Sequence, residues 1–186
     1  MTADALLASA CLPQLFPAIE IEGEPYWDGG YTSNPPLRPL IEAGSPPDVL
    51  IVRATPLERP GTPSGVVAIQ ARVNEITFGS ALRGELRSLA VAQNLLANVP
   101  NLPSELARLS NVRLHMIGAE AEFQAMRGGS RQDPTWAFLS EMHALGVRSA
   151  AAWLADNLHM VGTRSSLDLS LFAGPARNTS AGTLAA

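Results

Sequence analysis

Hydrophobic and polar positions change period several times along the chain, and each change marks an expected element. Residues 4–12 are strong helix formers with Asp4 placed to cap them, and Pro13 stops the run. Ala18, Ile19, Glu20 and Ile21 alternate as a short strand does, turn at Glu22-Gly23, and resume from Glu24 to Trp27. Pro35-Pro36 opens a short helix reaching about Ala43. Residues 48–54 form a nearly continuous, largely β-branched apolar run, which predicts a strand buried on both faces. Residues 56–64 are rich in Pro and Gly and predict a loop.

From about Ser64 to Ala97 the positions Ile69, Val73, Ile76, Leu82, Leu86, Leu89 and Leu96 recur at helical spacing. A break is expected at Gly79 or Gly84. Residues 111–118 predict a second central strand, and residues 134–145 and 147–158 two helices separated by Gly146. Strands and helices alternate, and the strands are too apolar to leave one face in water. The expected fold class is therefore α/β, a layered sheet covered by helices. One domain is expected over residues 1–172, followed by a small, polar, disordered tail over 173–186.

Composition narrows the functional classes. Hydrophobic residues make up 46% of the 186 and charged residues 16%, a globular balance. The net charge of −4, with no basic run, argues against nucleic acid as a partner. Cys11 is the single cysteine, so no internal disulfide forms, and no clustered Cys/His spacing suggests a metal. No cofactor is called for. The N-terminus lacks the basic region of a signal peptide, and no apolar run reaches the roughly 18 residues of a membrane span, so a cytoplasmic location is expected.

The candidate chemistry centres on Asp28-Gly29-Gly30, which follows Tyr26-Trp27. On local sequence alone this is a good hairpin-turn signal, with Gly29 or Gly30 free to take positive φ and the carboxylate free to bond nearby N–H groups. Ser9-Ala10-Cys11-Leu12-Pro13, Phe16-Pro17, and Asp28-Gly29-Gly30 followed by Asn34-Pro35-Pro36-Leu37 together resemble the C-terminal half of bacterial patatin-like phospholipases. Residues 74–78, 82–89, 136–139 and 152–154 agree with the same family, so the resemblance runs from about Thr2 to Phe172.

The resemblance implies a three-layer α/β/α sandwich and a serine acyl hydrolase with a Ser-Asp dyad and no histidine. Asp28 matches the family's aspartate, which accepts the proton of the serine hydroxyl. The family's glycine-rich oxyanion loop and Gly-x-Ser-x-Gly elbow have no counterpart here. The chain is therefore expected to be the C-terminal portion of such a domain, its sandwich incomplete and the isolated chain inactive. A lipid or ester is the implied substrate, with peripheral contact at a lipid surface and self-association through an open sheet edge as further expectations. The alternative is a catalytically inactive product that binds lipid or a protein partner.

No serine of the chain fits the elbow, whose glycines flank the nucleophile because the strand-to-helix turn is crowded. Ser130 has Gly128 but Gln132, Ser180 has Gly182 but Asn178, and the others match on neither side. No nucleophile is assigned. His115, His143 and His159 are expected to be structural or surface histidines, since a Ser-His-Asp site would still lack its elbow. Glu20, Glu22 and Glu24 share a strand face that is expected to point to solvent, against a paired-carboxylate glycosidase. Tyr26, Trp27 and Tyr31 are expected to pack on the strands, with an acyl-chain wall as the alternative. Arg53, Arg59 and Arg72 are expected to be solvated, with contact to lipid headgroups as the alternative, and Cys11 to be a small buried residue.

Overall fold

The computed structural model describes residues 2–125 and 133–172; the expected tail, Ser130 and Ser180 lie outside them. The chain is mixed α/β, with helices around two small sheets. Helix α1 (Ala3–Ala8) is capped by Thr2, whose hydroxyl accepts from the Ala5 N–H at 3.2 Å. The hairpin β1 (Ile19–Ile21) and β2 (Glu24–Tyr26) follows. Its two turn residues, Glu22 and Gly23, both take positive φ, 54° and 85°, which suits the twist of a tight hairpin. Helix α2 (Leu37–Glu42) leads into β3 (Asp48–Val52), then come α3 (Val66–Leu96), α4 (Ser104–Asn111), β4 (Arg113–Ile117), α5 (Glu120–Ala125) and α6 (Trp136–Asn157).

Strands β3 and β4 pair in parallel, with Val49 opposite Leu114 and Leu50 opposite His115. One face of this pair is the core. Val49, Ile51 and Leu114 pack with Leu37 and Ile41 of α2, Leu82, Leu86 and Leu89 of α3, and Val112. Burial of this set is the main stabilising term, since each large aliphatic side chain removed from water contributes roughly 1.5–3 kcal/mol. On the opposite face α6 covers β4 through Trp153, whose ring meets that of His115 edge to face at 5.7 Å.

Three expectations are corrected. Strand β3 is not buried on both faces: Leu50 is 47% and Val52 73% exposed, because α6 reaches over β4 and leaves the outer half of that face open. Helix α3 runs unbroken through Gly79 and Gly84, and α6 through Gly146. A helical glycine costs only about 1 kcal/mol relative to alanine, which the packing of a 31-residue helix outweighs. Helices α4 and α5 were not foreseen. Neither has the periodic length that marks a helix in sequence, and α4 starts from Pro103 with no side-chain cap.

The two sheet edges differ. The outer edge of β4 is covered by the segment after α6: Leu114 N–H donates to Ser165 Oγ at 3.0 Å, and Leu167 N–H to the Leu114 carbonyl at 3.0 Å. On β3 the register turns the backbone groups of Leu50 and Val52 outward, and no hydrogen-bond partner meets them among the described residues. Among those residues no helix is long and apolar enough to cross a membrane.

Candidate functional site

Asp28 sits where three local structures meet. Its N–H donates to the Cys11 carbonyl at 2.9 Å, which ties the end of the hairpin to the turn after α1. Cys11 is buried, and its thiol reaches the Pro17 carbonyl at 3.0 Å. Asp28 then caps a 3-10 turn over Gly29–Tyr31, its Oδ1 accepting the Gly30 N–H at 2.8 Å. The segment is thus a capped 3-10 turn rather than a hairpin. Neither Gly29 nor Gly30 takes positive φ, in contrast to the expectation for a hairpin turn.

A side chain at Gly30 would put its Cβ 3.0 Å from Asp28 Oδ1 and 3.4 Å from the Phe78 ring. The glycine is there because the carboxylate and α3 both come close. Tyr31 packs its ring against Phe78 edge to face at 4.9 Å, and its hydroxyl donates to Gln14. Asp28 is half-buried, and Gly30 N–H is the one group bonded to its carboxylate among the described residues. No serine hydroxyl there reaches it. The carboxylate is held still by its turn and keeps one oxygen free to accept a proton or a hydrogen bond.

The aromatic residues around the turn are only partly packed. Trp27 is 51% exposed although its indole N–H donates to the Phe16 carbonyl at 3.1 Å. Leu15, Phe16 and Tyr26 are likewise exposed. Glu20, Glu22 and Glu24 face solvent, as expected of a polar strand face.

The arginines expected to be solvated are instead ion-paired, another correction. Arg53 pairs with Glu120, and Arg59 and Arg72 with Glu75. For Arg59 and Arg72 the reason is Glu75, buried at 5% exposure on α3, which demands cationic partners. Burial works to raise the Glu120 pKa, but the Glu58 N–H and the Arg53 guanidinium outweigh it and hold the group below its ordinary value.

A second cluster was not legible in the sequence. His115, 1% exposed, places Nδ1 3.0 Å from Ser166 Oγ and Nε2 3.1 Å from Asp48 Oδ1. Asp48 also takes both arms of Arg113, at 2.9 and 2.6 Å, and the Gly162 N–H at 2.9 Å. Hydrogen bonds from Arg113 first, then from Gly162 and His115, hold its carboxyl well below the usual aspartate range. The residues lie 51 and 67 positions apart, so only the parallel register and the return of the chain after α6 bring them together.

A depressed carboxyl contributes stability that is complete above its unfolded pKa, about 3.9, and is lost as pH falls from there towards the folded value. The difference between the urea midpoints of wild type and Asp48→Asn is therefore expected to be constant above about pH 5 and to shrink progressively as the pH is lowered from about 4. A gap that does not shrink as the pH is lowered below about 4 would contradict the assigned ionisation.

Among the described residues no three His, Cys, Asp or Glu side chains converge as a metal site. In comparisons with known proteins, no curated protein and no solved structure matches the chain. The blocks from Asn74 onward fall outside the segment that matches a family model. Residues 2–41, the segment that holds α1, the hairpin, the Asp28 turn and most of α2, match the family model described as Patatin-like phospholipase, and in that segment the chain is similar to a family of lipid acyl hydrolases.

Proposed function

We propose that the chain belongs to a patatin-like lipid acyl hydrolase and supplies the aspartate, Asp28, of its Ser-Asp dyad. The observation that carries this reading is the Asp28 turn. It lies inside the matched segment, and its carboxylate is fixed by Gly30 N–H with one oxygen unclaimed, beside exposed aromatic side chains suited to an acyl chain. The serine comes from outside these 186 residues, as does most of the oxyanion hole. With them, Asp28 accepts the serine proton as the hydroxyl attacks the ester carbonyl, and an acyl-serine forms that water then releases.

The same reading extends to the fold. The parallel β3–β4 pair with helices on both sides is the part of a three-layer sandwich that these residues supply, over a domain spanning 1–172. Peripheral contact at a lipid surface follows from the substrate.

A second reading, a non-catalytic lipid- or partner-binding protein, is favoured by one observation: the open edge and exposed apolar face of β3 at Leu50 and Val52. Self-association through that edge belongs to this reading. The 186-residue chain is expected to show no p-nitrophenyl ester turnover that depends on Asp28. Turnover abolished by Asp28→Asn in this chain would mean that the partner serine is already present, and would overturn the proposal.

A further inference from the structure

We propose that Ser166 is a reactive serine in its own right, with His115 as general base and Asp48 as the group that positions that base, and that it is acylated by small activated esters independently of Asp28. The inference goes beyond the dyad reading and uses none of its residues.

Proton bookkeeping supports it. Arg113 and the Gly162 N–H occupy Asp48 as donors, so its carboxylate can only accept. The 3.1 Å contact with His115 Nε2 must then be an Nε2–H donation. That leaves Nδ1 with a bare lone pair. The Ser166 N–H, 3.4 Å from Nδ1, points a donor at the same atom. Ser166 Oγ, nearer at 3.0 Å, shares that lone pair with the N–H, which sets a hydroxyl beside an unprotonated ring nitrogen as a nucleophile and its base require.

Exposure follows the same logic. His115 is sealed beneath Trp153, while Ser166 is partly exposed on the segment bound along the edge of β4. The imidazole is used through Nδ1 rather than through Nε2 as in the familiar triad, and in a neutral imidazole whichever nitrogen lacks the proton can accept one. The groups facing the imidazole are Asp48 from β3, with Arg113 behind it, and Ser166.

In the reaction, Oγ attacks the carbonyl carbon and its proton passes to Nδ1. The bond to the leaving alcohol breaks, that alcohol takes the proton from Nδ1, and the acyl group stays on Oγ. Arg113 shares the Asp48 charge and so weakens its support of the imidazolium, which makes the step slow compared with a dedicated hydrolase.

The test is an alkyl fluorophosphonate added to the full chain, with the modified residue mapped by mass spectrometry. Fluoride leaves phosphorus as Oγ attacks. Labelling at Ser166 is expected. It should be abolished by Ser166→Ala, retained in Ser165→Ala and in Asp28→Asn, and slowed by about 100-fold or more in His115→Gln. Circular dichroism checks that each variant is folded, and Ser166→Ala, which removes a single oxygen, carries the test if His115→Gln is not. Asp48→Asn should slow labelling of the folded protein, because the imidazolium loses its carboxylate, and Asp48→Glu should restore part of the rate. An unlabelled wild type, label at another residue, or label that survives Ser166→Ala overturns the proposal. Loss of label in Asp28→Asn overturns the claimed independence, and an unchanged labelling rate in Asp48→Asn overturns the positioning role of Asp48.

Discussion

Glu75→Ala is expected to destabilise the protein by about 3 kcal/mol, read as a lower urea midpoint with unchanged slope. Glu75 is 5% exposed on α3 and takes Arg59 through a bidentate pair, Nη2 to Oε1 at 2.7 Å and Nε to Oε2 at 3.0 Å. Arg72 adds a contact at 3.3 Å. Arg59 also donates to the Phe123 and Gln124 carbonyls at the end of α5. Removing the carboxylate therefore strands a guanidinium that joins the 56–64 loop, α3 and α5. Breaking a buried pair costs about 3–5 kcal/mol, and the lower end applies because both arginines keep about a quarter of their side-chain surface in water. A shift below about 1 kcal/mol would mean that the pair is surface decoration.

Leu86→Ala should have a comparable effect, about 3–4 kcal/mol, for a different reason. Leu86 has no exposed surface and lies in the cluster that joins α2 and α3 to Val49, Ile51 and Leu114. The substitution loses the transfer free energy of the removed carbons and leaves a cavity in a core made by few elements. For a chain of this size the melting temperature should fall by on the order of 10 °C. Leu95→Ala, on the same helix but 72% exposed, is the control and should change little. If the two variants melt together, the assigned core is wrong.

The elements that could be read from the sequence are those whose signals are local. The β-branched run at 48–54 and the Glu22-Gly23 turn depend on nearest neighbours, and both appear where expected, within one or two residues at their ends. The glycines in α3 and α6 misled because a local cost was set against packing that lies far away in sequence. The exposure of Leu50 and Val52 misled in the opposite direction: a strand can be apolar on both faces while the described chain covers only one.

The candidate site divides in the same way. Asp28 with its two glycines is contiguous and was visible, although the turn type was not, because a 3-10 turn and a hairpin turn favour the same Asp-Gly pair. The cluster of Asp48, His115 and Ser166 left no trace in spacing. Ser166 is flanked by Arg164 and Asp168, so an elbow search passes over it. Its hydrogen bonds depend on a parallel register and a chain return that no local pattern encodes.

The most direct test of the central claim, that Asp28 is the base of a Ser-Asp dyad, uses a longer product. The reading frame upstream of Met1 is expected to encode a glycine-rich loop and a Gly-x-Ser-x-Gly elbow. The product carrying both should hydrolyse a p-nitrophenyl ester, and Asp28→Asn should lower its kcat by about 100-fold or more while the fold, followed by circular dichroism, is unchanged. Equal rates for the wild type and Asp28→Asn, or stop codons immediately upstream, would contradict it.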